Sequence, residues 1–307
     1  MSASVGGLVR SLTGRPEPRA ARRPVRRSRV ALNLGLGTVA LLWLFPFLWA
    51  VYASLRSYDE TARRGYVSLP EALTLDNYAA AWLLADLPRY FLNSALVVVP
   101  SVVIVLVLSS VVAFSLSRVP ARLGLGLLML FAAGNLLPPQ AIAVPLHRLF
   151  LALPVPAPLS DNGVLYDQHV GLVLIHVAFQ LGFCTLVLGA WMRTLPRELV
   201  EAAVIDGASH LRALWHVVLP LCRPALAALA VLQVTWIYND FFWGLVLMRT
   251  GDKRPMTSAL NSLKGEYFTD TNLLAAGAVM AALPTLVVFL VLRRHFARGL
   301  TLGSVRG

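Results

Sequence analysis

Apolar residues in this chain come in long uninterrupted stretches separated by short polar ones. Six stretches reach the roughly 20 residues that a helix rising about 1.5 Å per residue needs to cross a bilayer. They fall at about 30–54, 91–117, 123–150, 170–192, 225–248 and 273–292. Alternation with period two is absent, so helices are favoured over a β-barrel, and each helix satisfies its own backbone in lipid. The expected fold is an all-α polytopic membrane protein. It has six transmembrane helices, a basic segment over 1–29, and a cytoplasmic helix–turn–helix between helices four and five.

Composition narrows the class. Of 307 residues, 57% are hydrophobic and 14% charged, against about 25% charged in soluble domains. A secreted disulfide scaffold, a disordered chain and a cytosolic enzyme are excluded. The net charge of +12 would suggest nucleic acid only if it lay on a soluble domain. With the N-terminus placed inside, segments 1–29, 118–122, 193–224 and 293–307 hold 18 Lys/Arg against 4 acids. The loops 55–90, 151–169 and 249–272 hold 8 against 10. Cytoplasmic loops carry the Lys/Arg excess, so both termini are expected in the cytoplasm. The charge is a topology signal, and no nucleic-acid partner is expected.

The eight arginines before residue 30, with Glu17 the one acid among them, read as a tail that touches lipid headgroups and holds the first span inward. Cys184 and Cys222 have no ligand cluster beside them, so they read as packing residues; neither metal nor cofactor is expected.

The cytoplasmic segment 194–226 is the most informative. Pro196 can open a first helix, Glu198 and Glu201 favour its N-terminal dipole, and Gly207 can end it in a left-handed cap. Ser209 can cap a second helix, whose apolar Leu211, Leu214, Trp215 and Val218 recur at helical spacing. Pro220 is expected to interfere with its continuation, and Pro224 to open the fifth span. Ala202, Ala203 and Ala208 leave the turn almost free of bulk, while Glu201 and Asp206 offer charge. A lipid-surface helix prefers a basic polar face; this one is acidic after Arg197, which favours docking to a protein.

The order Glu201-Ala202-Ala203, Gly207, then Val217, Leu219 and Pro220 resembles the loop of membrane subunits of ATP-binding-cassette (ABC) importers. Valine stands at 217 where isoleucine is commoner. The version EAAVIDGAS resembles the carbohydrate importers of the maltose type. Residues 236–247, WIYNDFFWGLVL, are similar to that family's fifth-span stretch, with Asp240 in place of glutamate and Tyr238 where tryptophan is usual. Residues 293–307 resemble its C-terminal tail.

The resemblance implies a permease subunit of an ATP-driven sugar importer, multi-pass in a bacterial inner membrane. The helix around 201–208 would couple to one of two separate ATPase subunits, and the tail, with Gly299, Leu300, Thr301 and Gly303, would reach between them. The other implied partners are a second permease subunit forming a heterodimer, an extracytoplasmic solute-binding protein, the sugar and membrane lipid. This sequence has no GxxxxGK[ST] phosphate loop, so ATP hydrolysis is expected on the partner and the chain is not expected to be an enzyme. A solute such as glycerol phosphate fits the same architecture. A secondary transporter would want inverted repeats and several intramembrane acids, and an intramembrane hydrolase would want a catalytic constellation.

Depth along the helices suggests a solute path. Asn135 lies ~18 Å from the inside in span three, Gln180 ~15 Å from the outside in span four, and Asn239 and Asp240 ~21–22 Å from the inside in span five. Pro138-Pro139 should break span three above Asn135, freeing carbonyls for a polar neighbour. Trp236, Tyr238 and Trp243 supply aromatic faces. An intramembrane acid is a functional candidate, but Asp240 serves equally as a structural or gating contact, and Asn135 and Gln180 as interhelical hydrogen-bonding residues. His176 and the His147–Arg148 pair read as interfacial. The outer loops 55–90 and 151–169 fit either a receiving surface or plain solvated chain.

Overall fold

The computed structural model describes residues 26–83, 85–134, 138–260 and 270–301, with side chains except those of 26–28, 121, 132 and 292–301. Among the described residues the structure is helical, apart from an isolated bridge between Pro154 and Val164. Among the described residues four helices are long and apolar enough to cross a membrane: Arg29–Ser54, Leu87–Leu116, His169–Met192 and Thr271–Val291. A fifth is added if His210–Leu221 and Arg223–Tyr238, which meet at 80°, count as one span.

Two of the six expected spans are thus interrupted. The third stretch forms α5 (Ala121–Gly134) and α6 (Pro139–Ala152). Pro138 is extended (φ −65°, ψ 127°) just before the new helix, as the double proline requires, because each ring removes a backbone donor and disfavours a helical residue before it. The fifth stretch forms α11 (Arg223–Tyr238) and α12 (Phe242–Leu247), parted at Asn239–Phe241 where the sequence turns polar.

The chain divides into two units, Met1–Trp49 and Ala50–Gly307. In the first, α1 (Arg26–Ser54) begins, and every side chain from Val30 to Leu48 is exposed. A helix apolar all round with nothing buried is at home in lipid, since water would have to cover every face.

In the second unit α4 (Leu87–Leu116) and α7 (His169–Met192) form the central pair. Small residues let them approach: Ser109, Ser110 and Ala113 on α4 and Gly182 and Gly189 on α7 are all buried, the pattern by which helices in membranes gain packing contact. α5 lies against α7, while α11 packs on α4, α7 and α14 (Thr271–Thr301). Two apolar clusters result. One joins Leu87, Val97, Leu172, Ile237, Trp243 and Met256; the other joins Val105, Ala113, Cys184, Leu188, Leu214 and Leu229.

Beyond the first cluster the connecting segments are stitched by buried polar groups. Arg56, 1% exposed, pairs with Glu60 at 2.8 Å and donates to the carbonyls of Gly65 and Tyr66 and to the Ser68 hydroxyl. Glu60 also accepts the N–H of Glu71. Segment 55–90 is therefore a folded cap with two short helices, α2 (Tyr58–Arg64) and α3 (Asp76–Leu83), and its charges are partly interior. Asn272 ties α14 to this cap through Ala53 O (2.9 Å) and the Thr61 hydroxyl. Asp167 accepts the N–H groups of Arg249 and Thr250 at 2.8 and 3.0 Å, and Lys253 reaches Asp161 at 2.5 Å. The segments 151–169 and 249–254, far apart in sequence, are thereby fastened together.

Candidate functional site

At the opposite end of this unit lies the segment that links α7 to α11. α8 spans Glu198–Ile205, two residues after Pro196, so the proline precedes the helix that it was expected to open. None of its side chains is buried. Ile205 is 84% exposed, and Leu199 and Val204 are exposed beside Glu198 and Glu201. A helix of eight residues is marginal alone, so its ends matter. Gly207 takes φ +85°; its N–H donates to Val204 O at 3.0 Å and the Ala208 N–H to Ala203 O at 2.9 Å. This pair of bonds is the Schellman closure, which satisfies the last carbonyls. A Cβ at Gly207 would meet nothing within 4 Å. Within this chain the glycine is required by its backbone angle, and the open space above it leaves room for another molecule.

Ser209 then caps α9 (His210–Ala213), its hydroxyl accepting the Arg212 N–H at 3.3 Å. Leu214 and Val218 are buried, whereas Leu211 and Trp215 are exposed, so only half of the expected apolar stripe faces the bundle. Pro220 does not end the helix. The chain widens into a π turn over Leu214–Val218, with the Leu219 N–H reaching back to Leu214 O. Widening relieves the clash between the proline ring and the carbonyl four residues earlier. Helix α10 (Leu219–Leu221) follows, and the direction changes at Cys222, before α11 opens with Pro224 in its first turn. Leu219 and Pro220 are half-buried at this corner. Gly299, Leu300 and Thr301 continue α14 as helical backbone; Gly303 lies outside the described residues.

The intramembrane candidates separate. Asn135 lies outside the described residues. Gln180 on α7 accepts from the Gln233 amide at 3.4 Å, and Gln233 is fully buried with its Oε1 unpartnered. Sequence reasoning missed Gln233, although a lone glutamine within an apolar run was the available signal. Asn239 is exposed and donates to Thr235 O on its own helix at 2.8 Å. Asp240 accepts the N–H groups of Trp243 and Gly244 at 3.0 and 3.4 Å, capping α12 in the manner of an N-terminal aspartate. Its carboxylate also lies 3.9 Å from His176 Nε2. His176 is 7% exposed and faces the break in the fifth stretch. Of the aromatics, Trp236 is exposed and stacks near Phe183 (5.2 Å), whereas Trp243 and Tyr238 are buried, Tyr238 donating to Ala281 O. The polar belt therefore divides into a structural cap at Asp240, an interhelical amide pair, and an accessible face with Asn239 and Trp236.

Comparison with known proteins agrees with this architecture. Residues 81–301 match the family described as binding-protein-dependent transport system inner membrane component. The chain is 34% identical over 274 residues to a diacetylchitobiose uptake system permease protein of Streptomyces coelicolor, covering 87% of this chain and 86% of that one. It is 30% identical over 275 residues to a probable ABC transporter permease protein of Pyrococcus horikoshii, covering 89% and 96%. Among solved structures, a bacterial ABC transporter involved in the import of the acidic polysaccharide alginate shares the fold, with TM-score 0.67 and 21% identity over 89% of this chain and 98% of that one.

Proposed function

The chain belongs to the family of binding-protein-dependent transport system inner membrane components, and on that footing we propose that it is the permease subunit of an ATP-driven sugar importer. The uncovered α8 carries the reading. A short helix with no buried side chain, closed by a glycine turn and presenting Ile205 beside Glu201, gains its stability by docking. The partner is an ATPase subunit. Closure of two such subunits would carry α8 as a lever, and the π turn and the corner at Cys222 would pass the motion into α11. The C-terminal end, Gly299 to Thr301 and Gly303, extends toward the same partners. Hydrolysis belongs to the ATPase, and this subunit contributes the path.

The third and fifth stretches each cross the bilayer as broken spans, which completes six crossings with both termini cytoplasmic. Gathering of segments 55–90, 151–169 and 249–254 at one end, and of 117–120 and 193–221 at the other, supports this topology. A second permease subunit completes the path, and a solute-binding protein delivers to the end formed by 55–90, 151–169 and 249–254. Sugar as cargo rests on the diacetylchitobiose uptake relative and on the EAAVIDGAS loop. Asn239 and Trp236 offer an amide and an aromatic face of the kind that binds hydroxyl-rich solutes.

Glu201→Lys tests the docking. The variant should insert normally, as judged by surface labelling, and lose binding-protein-dependent sugar uptake, measured in proteoliposomes holding the full transporter. Normal uptake would remove the docking claim. A panel of mono-, di- and oligosaccharides in the same assay identifies the cargo, and transport of none of them would overturn the sugar assignment.

A further inference from the structure

A cleft of about 1050 Å³ opens where α4 and α7 end, between the turn at 117–120, α8 and the π turn. Its lining is of two kinds. Phe114, Met192, Val204 and Leu221 form an apolar wall, while Arg118, Arg193 and Arg197 supply cationic groups against one acid, Glu201. His210 is the remaining titratable residue of the lining. Among the described residues none of the three arginines is paired with a carboxylate. Arg118 instead stands 4.0 Å over the Phe114 ring, and burial holds its guanidinium below its ordinary pKa. All three arginines are exposed, and guanidinium groups without counter-ions favour an anion.

The position of the cleft selects the anion. The apolar helices α4 and α7 stop at Leu116 and Met192, so the cleft sits where hydrocarbon gives way to headgroups. Trp191, half-buried beside it, donates its indole N–H to Leu221 O at 3.4 Å, in keeping with the enrichment of tryptophan at this level. We propose that the cleft binds the phosphodiester headgroup of one anionic glycerophospholipid, with the phosphate held by Arg118, Arg193 and Arg197 and the upper acyl chain against the apolar wall. A free phosphate would engage the arginines and leave that wall facing water. Lipid satisfies both halves of the lining, and a membrane supplies it at high local concentration. The cleft shares Glu201 and Ile205 with the face of α8 proposed to meet the ATPase, and its occupant would brace α8 against the bundle from the membrane side.

The test uses the purified full-length chain in nanodiscs of phosphatidylcholine mixed with phosphatidylglycerol. Native mass spectrometry counts retained phosphatidylglycerol, and a headgroup photo-crosslinking phosphatidylglycerol maps the contact. Wild type should retain phosphatidylglycerol in preference to phosphatidylcholine, with crosslinks in peptides covering 117–120 and 193–204. Each arginine replaced (Arg118→Gln, Arg193→Gln, Arg197→Gln) should weaken retention by about fivefold, as expected for one basic group at an anionic surface. The matching lysine variants should keep most of it, and Arg63→Gln at the other end should change nothing. Thermal melting of each variant confirms that it is folded. Undiminished retention in the triple glutamine variant, crosslinks mapping elsewhere, or equal competition by soluble glycerol phosphate would overturn the lipid assignment. So would loss of the bound lipid when ATPase subunits assemble, which would make the cleft part of that interface.

Discussion

Replacing Gly207 by alanine isolates the contribution of one backbone angle. At φ +85° an L-residue brings its Cβ against the following carbonyl, which costs about 1–2 kcal/mol. No further steric cost adds to it, because a Cβ there meets nothing within 4 Å. The two closing bonds, from Gly207 to Val204 and from Ala208 to Ala203, depend on that angle. No side chain of α8 is buried, and half-buried Val200 packs against the edge of the second cluster, so the loss stays local. Amide exchange over 199–208, measured by mass spectrometry on the purified chain in nanodiscs, should accelerate by about five- to thirtyfold, the factor that 1–2 kcal/mol represents. The melting temperature should stay within experimental error, because the clusters around Leu188 and Leu172 are untouched. Gly207→Asn, which tolerates the left-handed region better, should give a smaller acceleration than alanine. Unchanged exchange in Gly207→Ala would refute the view that this turn holds α8. A large fall in melting temperature would refute the view that α8 is energetically separate from the bundle.

Gly244→Ala should behave in the opposite way: its Cβ would lie 2.7 Å from the Ser258 hydroxyl and 3.2 Å from Ser258 Cβ, so thermal denaturation should show a loss of about 1–3 kcal/mol, partly restored by Ser258→Gly. Asp240→Ala removes the acceptor for two N–H groups of α12 and should cost about 1 kcal/mol in the same assay, with Asp240→Asn closer to wild type because an amide oxygen still accepts. Burial by itself would raise the Glu60 carboxyl, but the Arg56 hydrogen bonds, the Glu71 N–H and the Arg56 charge outweigh it and hold the group below its ordinary value. Its contribution is therefore present above the unfolded carboxylate pKa and is lost as pH falls through the lower folded value. Limited proteolysis of segment 55–75 should accordingly rise in acid, and Glu60→Gln should flatten that dependence.

Much of the architecture was legible without coordinates. Long apolar runs can only be helices in lipid, since each must satisfy its own backbone, and local chemistry marks their interruptions. Pro138-Pro139, Gly207 and Ser209 act through their own backbone and side-chain bonds, so the break, the left-handed cap and the N-cap appeared where the sequence put them. Pro220 interferes with the helix as its ring predicts, but the form of the response, a widened turn and not an immediate stop, depends on what Leu214 and Val218 pack against. Asp240 was legible as an intramembrane acid, yet its role was not: whether a carboxylate meets solute, a histidine on another helix or the N–H groups of its own next turn depends on how the fifth stretch bends. Gln233 stood out as a lone amide in an apolar run, but its burial was not legible, because burial between helices follows from their rotation.

Charge counts along the chain point to a sidedness and a set of loops, because Lys/Arg bias acts segment by segment during insertion. Only the tertiary structure decided which of those charges are interior. Arg56 and Glu60 are four residues apart on what reads as a wet loop, and the cleft arginines Arg118, Arg193 and Arg197 come from segments separated by some seventy positions. Periodicity and punctuation are properties of neighbours along the chain. Desolvation and the meeting of distant groups are properties of packing, and these separate a solvated charge from a binding one.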